Sequence, residues 1–110
     1  MNITLDKQVK TIEPQGYVSA ANADDFRADL TKVVESQEYS ALLLDMKGVE
    51  FLDSAGLMAL VTTFRLAQNL EVRFSICSLA PSVRMIFELT QLDKVFEIFD
   101  SRDSFESGLC

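Results

Sequence analysis

The residues best suited to carry chemistry lie in one short segment, Asp53-Ser54-Ala55-Gly56-Leu57, at the start of a helical pattern. A serine that begins a helix has its hydroxyl at the surface, beside backbone N–H groups without partners in the helix. These groups attract negative charge, so a phosphate on Ser54 is favoured there. Gly56 lets another backbone or a nucleotide approach closely, and Leu57 and Met58 offer apolar contact. Because serine is also a common helix cap, spacing alone leaves a purely structural role open.

Several other chemistries lack the side chains that they need. The chain has no histidine, so the usual general base and the usual zinc ligand are both missing. Its two cysteines, Cys77 and Cys110, are widely separated and cannot complete a zinc site. We therefore expect no metal site, no cofactor and no Ser-His or Cys-His catalysis, and we interpret Cys77 as a core residue.

The composition is typical of one globular domain that covers residues 1–110. The chain has 110 residues, of which 48% are hydrophobic and 25% are charged, enough to bury a core. Ten Lys and Arg against seventeen Asp and Glu give a net charge of −7. This charge disfavours nucleic acid and anionic membrane surfaces as partners. The sequence contains no membrane-spanning run and no signal peptide pattern, so we expect a cytoplasmic location.

Apolar periodicity predicts the elements that precede the Ser54 segment. Residues 2–12 predict one or two strands, and the turn residues Glu13-Pro14-Gln15-Gly16 predict a hairpin into Tyr17-Val18-Ser19. Asn22 is expected to cap a helix that ends near Gln37.

A central strand and further helices are predicted after this helix. Residues 41–46 form an apolar run without alternation, which indicates a strand covered by helices on both faces. The second helix is expected to begin at or just after Ser54, with Ser54 as its cap. Downstream, the pattern predicts a strand at 72–77, a helix from Pro81, a strand at 95–99, and a last helix that Ser101 caps and that docks Phe105 and Leu109.

This order of elements predicts an α/β fold with a mixed, mostly parallel sheet of four to six strands and about four helices. The N-terminal hairpin would contribute an antiparallel element. Sites in such folds lie outside the carboxyl ends of the strands, in the strand-to-helix loops. The loops at 19–25 and 48–56 qualify, and the second contains the segment around Ser54.

The stretch Phe51-Leu52-Asp53-Ser54-Ala55-Gly56-Leu57, after an apolar strand that ends at Asp45, resembles the signature of the STAS domain. Within that family it is most similar to bacterial anti-sigma factor antagonists. The family's entry into its first helix is matched by Pro14-Gln15-Gly16, Ala20, Asn22, Phe26 and Leu30. The resemblance covers essentially the whole chain and implies a single STAS domain.

The resemblance implies a regulator that is not itself an enzyme. In the family, the serine after the aspartate, here Ser54, is phosphorylated by a partner that is both a serine kinase and an anti-sigma factor. The unphosphorylated domain binds this partner and frees the sigma factor. The phosphorylated domain does not bind, and a metal-dependent serine phosphatase returns it to the unphosphorylated form. The predicted partner-binding residues are Asn22, Asp53, Ser54, Ala55, Gly56, Leu57 and Met58. Many family members have Ser or Thr where this chain has Ala55, so Ser54 is the only acceptor in the motif.

Three other interpretations are open from the sequence. A response-regulator receiver would use an aspartate as phosphoacceptor, with Asp24, Asp25 and Asp45 as its acidic residues. A STAS domain can also be a non-phosphorylated accessory subunit of a transporter or sensory complex, or bind a small ligand. The position of Asp24 and Asp25 before the first helix disfavours a receiver, and the intact Asp53-Ser54 pair favours serine phosphorylation over the other two roles.

Overall fold

Strands and helices alternate along residues 8–107, the part of the chain that the computed structural model describes. The strands are β1 (Gln8–Ile12), β2 (Gly16–Val18), β3 (Tyr39–Asp45), β4 (Val49–Leu52), β5 (Arg73–Cys77) and β6 (Glu97–Phe99). The helices are α1 (Ala23–Ser36), α2 (Ser54–Asn69), α3 (Pro81–Leu89) and α4 (Arg102–Ser107), with a 3-10 helix at Leu92–Lys94. The α/β class, the mostly parallel sheet and the four helices are confirmed. The predictions for residues 2–7, Leu109 and Cys110 lie outside the described residues.

The strands form two separate sheets. β1, β3, β5 and β6 form a four-stranded sheet in the order β1-β3-β5-β6, and β2 pairs with β4 in a two-stranded sheet. Every pairing between strands of residues 8–107 is parallel. The predicted hairpin is therefore wrong. The chain does turn before β2, where Gly16 has a φ of 76°, but this turn leads from one sheet to the other because β1 and β2 have different partners.

The central strand β3 is covered on both faces, as its apolar sequence predicts. Leu42 and Leu44 belong to the main core, to which α1, α2 and α3 contribute. Alternate residues of a strand point to opposite faces, and Ala41 and Leu43 pack with Phe105 of α4 in a second cluster. Cys77 is buried in this second cluster, which confirms its interpretation as a core residue.

Three local predictions for helix ends are confirmed. α1 ends at Ser36, with Gln37 in the left-handed region at φ 57°. Pro81 occupies the first turn of α3. The Ser101 hydroxyl accepts a hydrogen bond from the backbone N–H of Ser104 at 3.1 Å and caps α4. Within the described part of the chain, no helix combines the length and apolar character needed to cross a membrane.

Candidate functional site

Asp53, and not Ser54, caps the second helix. The Asp53 Oδ1 atom accepts a hydrogen bond from the backbone N–H of Gly56 at 3.0 Å, the geometry of a side-chain N-cap. Ser54 is then the first residue of α2, so the helix begins where expected but its cap is one residue earlier than predicted. The carboxylate takes the capping role, so the structure does not use the Ser54 hydroxyl for it.

The same carboxylate joins two loops that are distant in sequence. Asp53 Oδ2 accepts a hydrogen bond from the backbone N–H of Ala20 at 3.1 Å, and the Asp53 N–H donates to the Val18 carbonyl at 3.2 Å. Hydrogen bonds from backbone N–H groups, that of Gly56 first, hold the pKa of Asp53 below its ordinary value. Asp53 therefore stays ionised at neutral pH and fixes the β4–α2 loop against the β2–α1 loop.

Asn22 lies at the start of α1, but its side chain does not cap the helix. Its amide group donates to the Tyr17 carbonyl at 2.9 Å and accepts from the Ser19 N–H at 2.9 Å. The expected capping role is wrong, because the side chain turns back towards the preceding strand. Asn22 instead shapes the loop that Asp53 holds through Ala20.

Ser54 is exposed at the surface, where a modifying enzyme can reach its hydroxyl. Beside it, Ala55 is half-buried and Met58, one turn later, is 59% exposed. A shallow groove of about 270 Å³ runs between α1 and α2 next to Ser54. Its lining residues are Ala20, Ala23, Asp24, Arg27, Ala55, Met58, Ala59 and Thr62.

Two residues of the predicted surface face inwards. Leu57 is buried in the main core. Gly56 is also buried, and a Cβ atom there would lie 2.9 Å from the carbonyl oxygen of Val18 and 2.5 Å from Leu52 Cδ1. The missing side chain of Gly56 therefore allows α2 to pack closely against β2 of the same chain. Residue 56 therefore lies inside the fold and not on the exposed side of the helix start.

Two exposed aromatic side chains border the same loops and are missing from the predicted surface. Tyr17 is 62% exposed and Phe51 is 44% exposed. They are opposite each other on β2 and β4, with ring centroids 5.8 Å apart. Strict alternation from buried Val49 would place Phe51 inside, but the strand register shifts there and leaves Glu50 without a counterpart. This shift, which depends on pairing with β2, turns Phe51 outwards.

The sequence matches the model of the STAS domain family over residues 1–105. The chain belongs to the STAS domain family. The BtrV protein of Bordetella bronchiseptica, which is named as a candidate anti-sigma factor antagonist, is 28% identical over 106 residues, 94% of this chain and 90% of that protein. An anti-sigma F factor antagonist of Paenibacillus polymyxa is 20% identical over 105 residues, 92% of this STAS domain and 90% of that protein.

Solved structures share the fold of this STAS domain. An anti-sigma factor antagonist from Mycobacterium paratuberculosis superposes with a TM-score of 0.83 at 28% identity, over 92% of this chain and 85% of that one. The anti-sigma factor antagonist SpoIIAA in its unphosphorylated form superposes with a TM-score of 0.76 at 15% identity, over 92% and 88% of the two chains. The prediction of a STAS domain is thus confirmed by both sequence and fold.

Proposed function

We propose that this STAS domain is an anti-sigma factor antagonist whose binding is controlled by phosphorylation of Ser54. The observation that carries the proposal is the exposed hydroxyl at the first residue of α2, in a chain whose relatives are named as antagonists of this kind. The domain then acts as the ligand and the substrate of its partner, and has no catalytic role. Its partner is an anti-sigma factor that is also a serine kinase.

Phosphorylation transfers the terminal phosphoryl group of ATP to the Ser54 oxygen. The hydroxyl loses its proton, the bond between the terminal phosphorus and its bridging oxygen breaks, and ADP leaves. The reaction requires the hydroxyl to come within about 3.5 Å of the transferred group. An exposed serine at a helix start can enter a kinase site without any movement of the helix. A metal-dependent serine phosphatase would reverse the change by adding water, which gives inorganic phosphate and the free hydroxyl.

The added phosphate opposes binding through charge and bulk. A phosphoserine carries about 1.5 to 2 negative charges at neutral pH. At Ser54 it lies beside the Asp53 carboxylate, and in the complex it would also face the phosphates of the bound nucleotide. A loss of about 3 to 4 kcal/mol in binding corresponds to a several-hundred-fold weaker complex.

The fold itself should change little when Ser54 is modified. The backbone N–H groups of a helix's first turn favour negative charge. The Asp53 carboxylate, which is not the modified group, holds the loop through its bonds to Gly56 and Ala20. The switch therefore acts at the docking surface and not by unfolding.

Three variants test the proposal with a purified anti-sigma factor that has serine kinase activity. Ser54→Ala should bind it at least as tightly as the wild type and accept no phosphate, whereas Ser54→Asp should bind at least tenfold more weakly because it adds charge at the contact. Ser19→Ala, on the neighbouring loop, is the matched control and should be phosphorylated normally. Mass spectrometry locates the phosphate and calorimetry measures affinity. Equal affinities of the two Ser54 variants, or a phosphate that persists in Ser54→Ala, would contradict the proposal.

A further inference from the structure

The aromatic rings of Tyr17 and Phe51 form a contact that lies on the surface. The other aromatic contacts among residues 8–107 each include at least one buried ring, that of Phe74, Phe87, Phe96 or Phe105. Tyr17 and Phe51 instead contact each other while 62% and 44% exposed. An outward strand position usually carries a polar residue, so two adjacent exposed rings are unusual.

Two backbone features accompany the exposure of these rings, one on each strand. The register shift at Glu50 turns Phe51 away from the core and places Leu52 inside. Such shifts re-aim side chains and are frequent beside functional sites. On the other strand, the Asn22 amide holds the carbonyl of Tyr17 at 2.9 Å. The register shift therefore turns the Phe51 ring outwards, and the Asn22 contact holds the backbone that carries Tyr17.

The aromatic pair lies on the two strands that lead into the loops around Ser54. Phe51 lies three residues before Ser54, and the Asp53 N–H donates to the Val18 carbonyl, one residue beyond Tyr17. Exposed Met58 lies one helical turn after Ser54. The two rings therefore lie on the strand side of the loop that carries Ser54, and the Met58 thioether lies on its helix side.

From this arrangement we infer that the Tyr17–Phe51 pair is the apolar anchor of the docking surface around Ser54. The inference rests on the proposed function, and it adds two contact residues to it. Aromatic residues that fill a partner's pocket commonly dominate the affinity of an interface. The rings determine how tightly the kinase partner is held, while the hydroxyl determines whether the complex persists.

Charge around the surface identifies the chemistry of the partner. Among residues 8–107, three carboxylates lie on or next to these loops, those of Glu50, Asp53 and Asp24, and Asp24 lies 3.9 Å from the guanidinium of Arg27. The fitting occupant is a protein with an apolar pocket rimmed by Lys and Arg side chains. A second copy of this chain fits poorly, because it would bring two acidic rims together on proteins of net charge −7.

The test uses the purified kinase partner, with Tyr17→Ser and Phe51→Ser as variants. Val95→Ser is the matched control, because Val95 is 48% exposed and lies just before β6, which pairs with β5 in the other sheet. Each aromatic variant should weaken binding about tenfold and raise KM for Ser54 phosphorylation, with kcat unchanged because the hydroxyl is intact. The double variant should lose less than the product of the two effects, because the rings contact each other. The control should bind like the wild type.

The outcomes separate this inference from the proposed function. If both aromatic variants bind within twofold of the wild type while Ser54→Asp binds weakly, the role of the Tyr17–Phe51 pair is refuted. The proposed phosphorylation switch at Ser54 is then still supported. If Ser54→Asp also binds normally, the proposed function itself fails. Loss of self-association in the double variant, measured by sedimentation, would make a second copy the occupant and overturn the inference. Glu50→Lys should weaken binding about fivefold by reversing one border charge; tighter binding would refute a basic partner.

Discussion

Replacing Gly56 by alanine tests how closely α2 approaches β2. The new Cβ atom would lie 2.9 Å from the carbonyl oxygen of Val18 and 2.5 Å from Leu52 Cδ1. The leucine methyl group can rotate away, but the carbonyl oxygen belongs to the backbone and already accepts the N–H of Asp53 at 3.2 Å. The helix must therefore move away from the strand, and this movement stretches that hydrogen bond.

The size of the effect follows from two opposing contributions. An extra methyl group in a tightly packed position costs about 1 to 3 kcal/mol. Alanine favours helix over glycine by up to about 1 kcal/mol, and this gain offsets part of the cost. We expect Gly56→Ala to lower the free energy of unfolding by about 1 to 2 kcal/mol, or the Tm by roughly 4 to 8 °C for a domain of this size. Gly56→Val, with two more methyl groups, should lose more.

Urea and thermal unfolding measure this difference directly. Gly48→Ala is the matched control: the three atoms nearest to a Cβ atom there all belong to the side-chain end of Gln15, which is exposed and can move. This control should unfold close to the wild type. If Gly56→Ala is as stable as the wild type while its affinity for the kinase partner falls, then residue 56 belongs to the docking surface and the packing argument is refuted.

Two further substitutions test the hydrogen bonds that hold the loops. Asp53→Ala should be less stable than the wild type at pH 7. Because the pKa of Asp53 is lower in the folded chain than its ordinary 3.8, the stability due to its ionised form is complete above that value and disappears as the pH falls through the folded pKa. In urea unfolding, the difference in unfolding free energy between the wild type and Asp53→Ala should be smaller at acidic than at neutral pH. A difference that does not change with pH would exclude the carboxylate charge as its source. Asn22→Ala should speed hydrogen exchange of the Ser19 amide by roughly five- to tenfold, since it removes that amide's acceptor. NMR measures the rate, and loss of helix content in α1 would instead indicate a capping role.

Much of the fold could be predicted because its signals are local. The unbroken apolar run of β3 indicated a strand covered on both faces, and it packs against clusters on both sides. The Pro81 and Ser101 positions marked helix starts through their own backbone chemistry. Such signals need no knowledge of distant residues.

The errors arise where distant residues decide the outcome. The turn residues before Gly16 indicate a change of direction, but they do not say that β1 will pair with β3 and β2 with β4. Asp53 and Ser54 are both good caps, and the distant N–H of Ala20 favours the carboxylate. Likewise, the inward position of Gly56 depends on Val18, which is far away in sequence.

The exposure of the Ser54 side chain could be predicted from the sequence, whereas the exposure of its neighbours could not. The exposed hydroxyl of Ser54 agrees with its expected position at a helix start. Strict alternation from Val49 would place Phe51 inside. Phe51 is exposed because the strand register shifts at Glu50, and this shift depends on the pairing with β2. Sequence patterns therefore find the reactive group more readily than the surface around it.

The two oxygens of Asp53 have a consequence for the thermodynamics of association. One accepts a hydrogen bond from the first turn of α2 and the other from the loop after β2, so the relative arrangement of the two loops is fixed within the domain itself. Little conformational entropy is then lost when a protein docks there. On a preorganised surface of this kind, modification of a single side chain can control the binding equilibrium, because few other free energy changes accompany docking.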